Sequence, residues 1–334
     1  MPVEIIAEIA QAHEGSLGIA HSYIDSLAQI GIDTVKFQMH IAEAESSEFE
    51  QFRVNFSYED KTRFDYWQRM EFSLEQWAGL KKHCEDKGLK FLCSPFSIQA
   101  VNWLENLKVG RYKIASGEIS NLLLLDVICK TGKPILLSSG MSSYNELSTS
   151  IQFIKNKSGK FDGIFQCTTA YPTPPEQYGL NVIQELKNKF NCKVGLSDHS
   201  GEIYAGLAAT ALGAEMLEMH VVFDKQMFGP DAKSSLSIIE FKQLVDGVRK
   251  IDISFKNIIN KNDIEKYSEL KTMFGKSLAI NKNLNQGHKI AIEDLETKKP
   301  AHKGISPLNY ESVIGKRLNK DLNKNSFLNE NDLL

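Results

Sequence analysis

The stretch MLEMHV, residues 216–221, is a short and mostly apolar run, typical of a strand buried on both faces of a parallel sheet. Seven similar runs precede it, at residues 5–10, 34–38, 91–96, 112–116, 135–139, 164–168 and 193–198. The segments between them have helical character, so strands and helices alternate over about 250 residues. This repetition predicts an eight-stranded (β/α)8 barrel, the TIM-barrel fold. A doubly wound open sheet would usually have fewer strands and a glycine-rich first turn.

The chain has 334 residues, which is enough for one large and one small domain. We expect the barrel to occupy residues 1–255, with a last helix that begins near Ser237. A polar linker, rich in asparagine and lysine, is predicted at 256–275. From 276 to 334 short apolar pieces alternate with turns, which predicts a small β-rich domain.

The composition is that of an ordinary globular protein, with 42% hydrophobic and 24% charged residues and a net charge of −3. This charge gives no reason to expect a nucleic-acid partner, because proteins that bind nucleic acid usually have a basic face. No run is long enough to cross a bilayer, and the N-terminus lacks the pattern of a secretion signal. We therefore expect a cytoplasmic protein with a small-molecule substrate. Its five cysteines have no paired spacing and predict reduced, mainly structural thiols.

The connection between the second and third predicted strands, residues 41–72, is unusually long. It contains the aromatic residues Phe64, Tyr66 and Trp67. This composition predicts either a lid over the barrel mouth or a surface flap with its own small core. A helix should follow at 73–87, because Ser73 is a favourable first cap and Gly88 a favourable stop.

Polar side chains gather at the carboxyl ends of the predicted strands, where barrel enzymes build their active sites. The second to fifth strands contribute two lysines and three serines: Lys36, Ser94, Lys113, Ser116 and Ser138. Two cations with three hydroxyl donors suit a phosphate group that has a carboxylate nearby. The alternative is an internal ion pair, which would need a carboxylate such as Glu14 or Glu118 in the same place.

Two histidines, His199 and His220, end the seventh and eighth predicted strands, which are neighbours about 5 Å apart in a sheet. Two imidazoles there predict a shared metal ion with open positions for water and substrate, which is typical of a catalytic site. Asp198, Glu218 and Asp231 are placed to orient or join them. The alternative is two separate histidines, each satisfied by a hydrogen bond.

A series of short motifs runs in order through nearly the whole chain. The motifs are AHEGSLG (12–18), VKFQ (35–38), SPF (94–96), YKIASGE (112–118), LSSGM (137–141), CTTAYPTP (167–174), GLSDHS (195–200), LEMH (217–220) and GPDAKSSLS (229–237). Together they resemble the bacterial sialic acid synthases and their relatives that make legionaminic and pseudaminic acids. The C-terminal segment 276–334 resembles the antifreeze-like (SAF) domain of the same family.

The resemblance implies condensation of phosphoenolpyruvate with the aldehyde of an N-acylated mannosamine-type sugar. The products would be a nine-carbon 2-keto sugar acid and phosphate, released by C–O cleavage. By motif match, the two lysines and three serines would bind phosphoenolpyruvate. The two histidines would bind Mn²⁺ or Mg²⁺. Gln38, Tyr171 and Asp231 match sugar contacts, while Glu14 and Glu118 match the carboxylates that handle water and proton, with Glu14 as the base that activates water.

Two positions depart from the family pattern on the expected sugar side. Lys299 stands where the family has an arginine that reaches the acyl group of the sugar, and Thr169 stands where it has an asparagine. Lysine lacks the planar, two-pronged donor geometry of arginine. The sequence therefore leaves open whether the substrate is N-acetylmannosamine or a 2,4-diacetamido-2,4,6-trideoxyhexose. In the family the SAF domain caps the barrel of a second subunit, which implies a domain-swapped homodimer.

Two other functions would use the same residues. A Schiff-base aldolase would attack a keto substrate through Lys113 and would need no metal. A non-catalytic sugar-binding protein would need the pocket alone, and would have little use for metal-binding histidines beside an anion site.

Overall fold

The computed structural model describes residues 2–54 and 56–334. Its internal contacts divide the chain into two compact units, Met1–Asn257 and Ile258–Leu334. Among the described residues, no helix combines the length and the apolar character that a membrane crossing requires.

The first unit contains a closed barrel of eight parallel strands. They are β1 (Glu4–Glu8), β2 (Thr34–Met39), β3 (Lys90–Pro95), β4 (Tyr112–Ile114), β5 (Pro134–Ser138), β6 (Lys160–Cys167), β7 (Lys193–Asp198) and β8 (Met216–Val222). Each strand pairs with the next one along the chain, and β1 also pairs with β8, which closes the barrel. The predicted (β/α)8 barrel is confirmed.

Helices alternate with these strands. They are α1 (Leu17–Ala28), α2 (Ala42–Glu45), α3 (Arg63–Met70), α4 (Leu74–Asp86), α5 (Ile98–Asn106), α6 (Leu122–Lys130), α7 (Tyr144–Asn156), α8 (Leu180–Phe190), α9 (Tyr204–Ala211) and α10 (Ile238–Lys256). The short strand β9 (Leu236–Ser237) pairs with β8 just before α10. Helix α4 begins as predicted, because the Ser73 hydroxyl accepts a hydrogen bond from the Gln76 N–H and the Gln76 side chain reaches back.

The inside of the barrel is filled below the level of the site. Side chains from five strands form a buried apolar cluster there: Ile6, Leu92, Leu136, Phe165 and Met216. Gly195 on β7 makes room for this packing, since a Cβ at that position would lie 2.7 Å from the ring of Phe165. A full interior leaves the carboxyl ends of the strands as the place where a ligand can enter.

Most strand limits differ from the predicted ones by a residue or two, and β1 and β6 show why. β1 ends at Glu8, because Ala10 has a φ of 46°, which lies outside the range of a strand. β6 begins at Lys160 rather than at residue 164, and its first residues are exposed or half-buried. Polar residues are tolerated at that end of the strand, so an apolar run alone does not reveal its start.

The second unit contains a two-stranded antiparallel sheet, β10 (Ser277–Ile280) and β11 (Leu295–Lys298). Its own apolar core includes Leu278, Val313 and Leu318. The stretch 256–275, predicted as a polar linker, contains helix α11 (Ser268–Phe274). The second unit thus begins with helical structure before its sheet.

Candidate active site

The carboxyl ends of the barrel strands surround a cavity of about 530 Å³. Most of the barrel residues predicted for the site line it: Lys36, Gln38, Ser94, Lys113, Ser116, Glu118, Ser138, Thr169, Tyr171, His199, His220 and Asp231. The structure therefore brings the predicted anion-binding, metal-binding and sugar-binding side chains of the barrel to one place.

Two lysines and two carboxylates form a buried ion-pair chain, which we call the lysine–carboxylate chain (Glu8, Lys36, Lys113 and Glu218). The Nζ of Lys36 contacts the Glu8 carboxylate and lies 3.4 Å from Oε1 of Glu218. The Nζ of Lys113 lies 2.9 Å from both Glu218 oxygens. The hydroxyl of Ser197 donates a third hydrogen bond, of 3.1 Å, to Glu218. All four ions need these partners, because each loses its hydration on burial.

Burial and neighbouring charges determine the pKa values within the lysine–carboxylate chain. Burial lowers the pKa of Lys36 to about 8, although the Glu218 carboxylate opposes this effect. Burial by itself raises the pKa of Glu218, but the ammonium groups of Lys113 and Lys36 hold it below its ordinary value. An anionic ligand that binds here must compete with the internal carboxylates for the two lysines.

The two carboxylates predicted to be catalytic lie in different places. Glu118 lines the cavity, accepts a 2.7 Å hydrogen bond from Asn121, and has a pKa that burial raises. Glu14 is not among the described residues that line the cavity, and its Oε2 accepts a 3.0 Å hydrogen bond from Arg69. Neither residue belongs to the lysine–carboxylate chain. The internal ion pair considered as the alternative is present, but with Glu8 and Glu218 in place of Glu14 or Glu118.

Glu8 is a cavity carboxylate that the sequence patterns do not single out. It is 1% exposed, and its Oε1 accepts a 2.9 Å hydrogen bond from the Ala10 N–H just beyond β1. One signal does point to it. Ile6, two residues earlier, faces the barrel interior, and strand alternation sends the Glu8 side chain to the same side.

The three predicted serines also face the cavity. The buried Oγ of Ser94 has no hydrogen-bond partner within the described part of the chain. A buried hydroxyl left without a partner costs about 1–3 kcal/mol, so a ligand atom is expected to bond it. Gly140 permits the close packing of this wall, since a Cβ there would lie 2.6 Å from the Ser116 Oγ and 2.5 Å from the Thr169 Oγ1.

His199 and His220 are buried, with ring centroids 5.2 Å apart. The Nδ1–H of His199 donates to the Thr168 carbonyl at 3.0 Å, so its Nε2 is the acceptor that lies 3.1 Å from the Tyr171 hydroxyl. Burial lowers the pKa of both histidines to about 3. Neutral imidazoles, one of them oriented by a carbonyl, are the form that binds a metal ion.

This donor set fits a metal ion with open coordination positions. Within residues 2–54 and 56–334, no group of three or more histidine, cysteine, aspartate or glutamate side chains is arranged to hold a metal. Two imidazoles alone would leave the remaining positions of a bound ion to water and substrate, and the metal site stays a prediction.

The segment 41–72 borders the mouth of the cavity. Its lining residues are Glu45, Glu50, Arg53, Arg63 and Trp67. The Nη2 of Arg53 lies 2.6 Å from Oδ1 of Asp231, and its guanidinium lies 4.0 Å from the centre of the Tyr171 ring. The segment also has a small apolar cluster of its own around Tyr66. It thus combines the features of the two predicted alternatives, a lid and a flap.

Lys299 lies in the second unit, directly after β11. Its Nζ is 5.1 Å from the centre of the Phe274 ring, within the range of a cation–π contact. Its contact with a sugar stays a prediction.

Family models and relatives agree on the class of protein. The model of the NeuB family matches residues 23–260, and that of the SAF domain matches residues 275–334. N,N'-diacetyllegionaminic acid synthase of Campylobacter jejuni is 34% identical over 98% of this chain and 98% of its own length. Human N-acetylneuraminate-9-phosphate synthase is 32% identical over 95% of this chain and 89% of its own length.

A solved structure agrees with these relatives. The N-acetylneuraminic acid synthetase of Leptospira borgpetersenii, in complex with citrate, has a TM-score of 0.70 and 29% identity, over 81% of this chain and 92% of its own. With a barrel, a C-terminal SAF domain and matches over nearly its full length, the chain belongs to the NeuB family.

Proposed function

We propose that this protein condenses phosphoenolpyruvate with an N-acylated mannosamine-type sugar and water, to give a nine-carbon 2-keto sugar acid and phosphate. The observation that carries the proposal is that one cavity joins two lysines, three serine hydroxyls and two histidines. The names of its relatives, a legionaminic acid synthase and an N-acetylneuraminate-9-phosphate synthase, support this class of product.

The phosphate and carboxylate of phosphoenolpyruvate would bind to the predicted anion set, namely Lys36, Ser94, Lys113, Ser116 and Ser138. The unpartnered hydroxyl of Ser94 supports this assignment. His199 and His220 would hold Mn²⁺ or Mg²⁺, which supplies Lewis-acid polarisation of the sugar aldehyde when it is bound.

The reaction forms one C–C bond and breaks one C–O bond. The methylene carbon of phosphoenolpyruvate attacks the aldehyde carbon of the sugar, and the aldehyde oxygen takes a proton. The carbon of phosphoenolpyruvate that bears the phosphate then becomes electron-poor. Water adds to that carbon and gives up a proton, and the intermediate then expels phosphate. Glu8 and Glu118 are two carboxylates of the cavity that can move these protons, and we assign to Glu8 the water-activating role first expected of Glu14.

The geometry disfavours the Schiff-base aldolase. Attack on a carbonyl requires a free lone pair on the lysine nitrogen. The Nζ of Lys113 instead donates to both oxygens of Glu218, at 2.9 Å each. Trapping with borohydride and pyruvate is therefore expected to leave Lys113 unmodified.

A phosphate-release assay tests the proposal. Purified protein is mixed with phosphoenolpyruvate, Mn²⁺ and a panel that includes N-acetylmannosamine and 2,4-diacetamido-2,4,6-trideoxyhexoses. We expect release with at least one sugar and loss of release in a chelator. In ¹⁸O-labelled water, the label should enter the keto acid and not the phosphate, because the C–O bond is the one that breaks. No release with any sugar, or label in the phosphate, would contradict the proposal.

We also propose the domain-swapped homodimer, in which the SAF domain of one chain caps the barrel of the other. Large apolar side chains exposed on the second unit support a partner there, among them Ile258 at 90% and Leu308 at 92% exposure. Sedimentation analysis should give twice the mass of one chain.

A further inference from the structure

A chain of polar side chains lies along one wall of the cavity, and we call it the His40 relay (Glu45, His40, Gln11 and Gln38). All four residues line the cavity. His40 directly follows β2, while Glu45 ends α2 within segment 41–72, which we call the lid segment. The reaction proposed above gives His40 and Glu45 no part. The contacts of these four side chains indicate what the His40 relay can contribute to the reaction.

The His40 ring is fixed on both faces. Its centroid lies 3.7 Å from that of Trp67 and 4.3 Å from that of Phe96, both in stacked arrangements. The ring is 6% exposed, so its two nitrogens must find their partners within the protein. A stacked and buried ring keeps both nitrogens in fixed directions.

The hydrogen bonds of the relay determine which atom each residue presents. The His40 Nδ1 lies 2.5 Å from the Glu45 carboxylate, which can only accept, so the hydrogen sits on Nδ1. The His40 Nε2 lies 3.0 Å from the amide nitrogen of Gln11. That same nitrogen lies 2.7 Å from Oε1 of Gln38. The two hydrogens of the Gln11 amide thus go to His40 and to the Gln38 oxygen.

The neutral ring fits these contacts, because a second N–H, on Nε2, would face the Gln11 amide nitrogen, which is also a donor, at 3.0 Å. The oxygen of the Gln38 amide is therefore bonded within the wall, by Gln11. The amide NH₂ group is then the part of Gln38 that remains for a ligand in the cavity.

We propose that His40 and Glu45 are positioning residues that hold the Gln38 amide with its NH₂ group toward the substrate. The sugar must then present an acceptor oxygen at this point, and a protonated amine there is disfavoured because two donors would face each other. This inference rests on the proposed function, because it assigns the relay to the sugar rather than to phosphoenolpyruvate. Trp67 belongs to α3 and stacks on His40, so the same contact couples the lid segment to sugar recognition.

Two substitutions of one residue separate positioning from packing. His40→Phe keeps the aromatic stack and removes both hydrogen bonds. His40→Gln loses the stack and can place an amide group near the position of Nε2. We expect His40→Phe to raise the KM for the sugar about five- to tenfold, as for loss of one or two hydrogen bonds. The KM for phosphoenolpyruvate should stay within about twofold. His40→Gln should lie closer to the wild type in sugar KM.

Each outcome bears on the inference in a different way. A sugar KM that is unchanged in His40→Phe, while the wild type releases phosphate, would overturn the inference and leave the proposed function standing. A greater loss in His40→Gln than in His40→Phe would show that stacking matters and positioning does not. A wild type that neither binds nor consumes any sugar of the panel, by calorimetry and phosphate release, would remove the proposed function and this inference with it.

Discussion

At the scale of single residues, Glu8 lies beside Lys36 at the end of β1, with its carboxylate buried in the cavity wall. A base in this place can take a proton from water close to the lysine cations that stabilise developing negative charge. Glu14 comes later in the same connection and bonds Arg69 instead. The two glutamates therefore have different partners, a cavity lysine for Glu8 and an arginine outside the cavity lining for Glu14.

We expect Glu8→Gln to lower kcat by a factor of about 10²–10⁴, the usual effect of removing a general base. Glu14→Gln should keep kcat within about threefold, since its partner is an arginine outside the cavity lining. Steady-state phosphate release at saturating substrates measures both. Thermal melts of the two variants serve as the folding control. Equal losses in the two variants, or a larger one in Glu14→Gln, would contradict the assignment of Glu8.

At the scale of elements, Arg69 in α3 attaches the lid segment to the connection after β1. It bonds Glu14 at 3.0 Å and Asp60 at 2.8 Å. The fit is close, because a Cβ on Gly15 would lie 2.2 Å from the Arg69 carbonyl oxygen. Burial raises the pKa of Glu14 to about 7, although Arg69 opposes that shift. Protonation of this residue is therefore linked to the stability of the fold.

A raised pKa means that the folded state holds the Glu14 proton more tightly than the unfolded chain does. The stability that this group contributes is present in full below about pH 4.5 and is lost as pH rises through about 7. Glu14→Gln cannot titrate, so its Tm should decline less than that of the wild type over this range. Scanning calorimetry at a series of pH values measures the difference. Glu59→Gln, at an exposed carboxylate 3.7 Å from Arg69, is the matched control and should follow the wild type. Parallel profiles for Glu14→Gln and the wild type would contradict this prediction.

The elements also show what a sequence can predict. The strand-by-strand apolar runs predicted the barrel, and the polar residues at their ends predicted most of the cavity wall, because both depend on local pattern. Glu8 was not predicted, because a single acidic residue within an apolar run does not show whether it lies inside the strand or beyond the end of the strand. His40 and Arg53 were not predicted for another reason. They lie in or beside a long connection without periodicity, and their neighbours Phe96 and Asp231 come from distant parts of the chain.

At the scale of the whole molecule, the chain consists of a barrel unit and a SAF unit, and each has its own apolar core. The proposed swap would complete each barrel site with Lys299 of the other chain. A mixture of two inactive variants tests this arrangement. Lys113→Met damages the barrel site, while Lys299→Glu damages the cap, and each alone is expected to lose most activity.

If the caps are exchanged, mixed dimers contain one intact site. After co-refolding equal amounts of the two variants, about half of the dimers are mixed, and activity should recover to about a quarter of the wild type. Sites built from a single chain would show no recovery. Phosphate release before and after mixing is the measurement.

The seam between β1 and β8 has a consequence for synthesis on the ribosome. Glu8 pairs in register with His220 across this seam, so the first and last strands of the barrel supply adjacent parts of the site. Lys36 and Lys113 are translated long before their shared partner Glu218. Glu8 is already available to Lys36, but an unfinished chain has the Lys113 cation destined for burial without the carboxylate that makes its burial tolerable. The nascent barrel is expected to stay open, and exposed to chaperones, until its eighth strand has emerged.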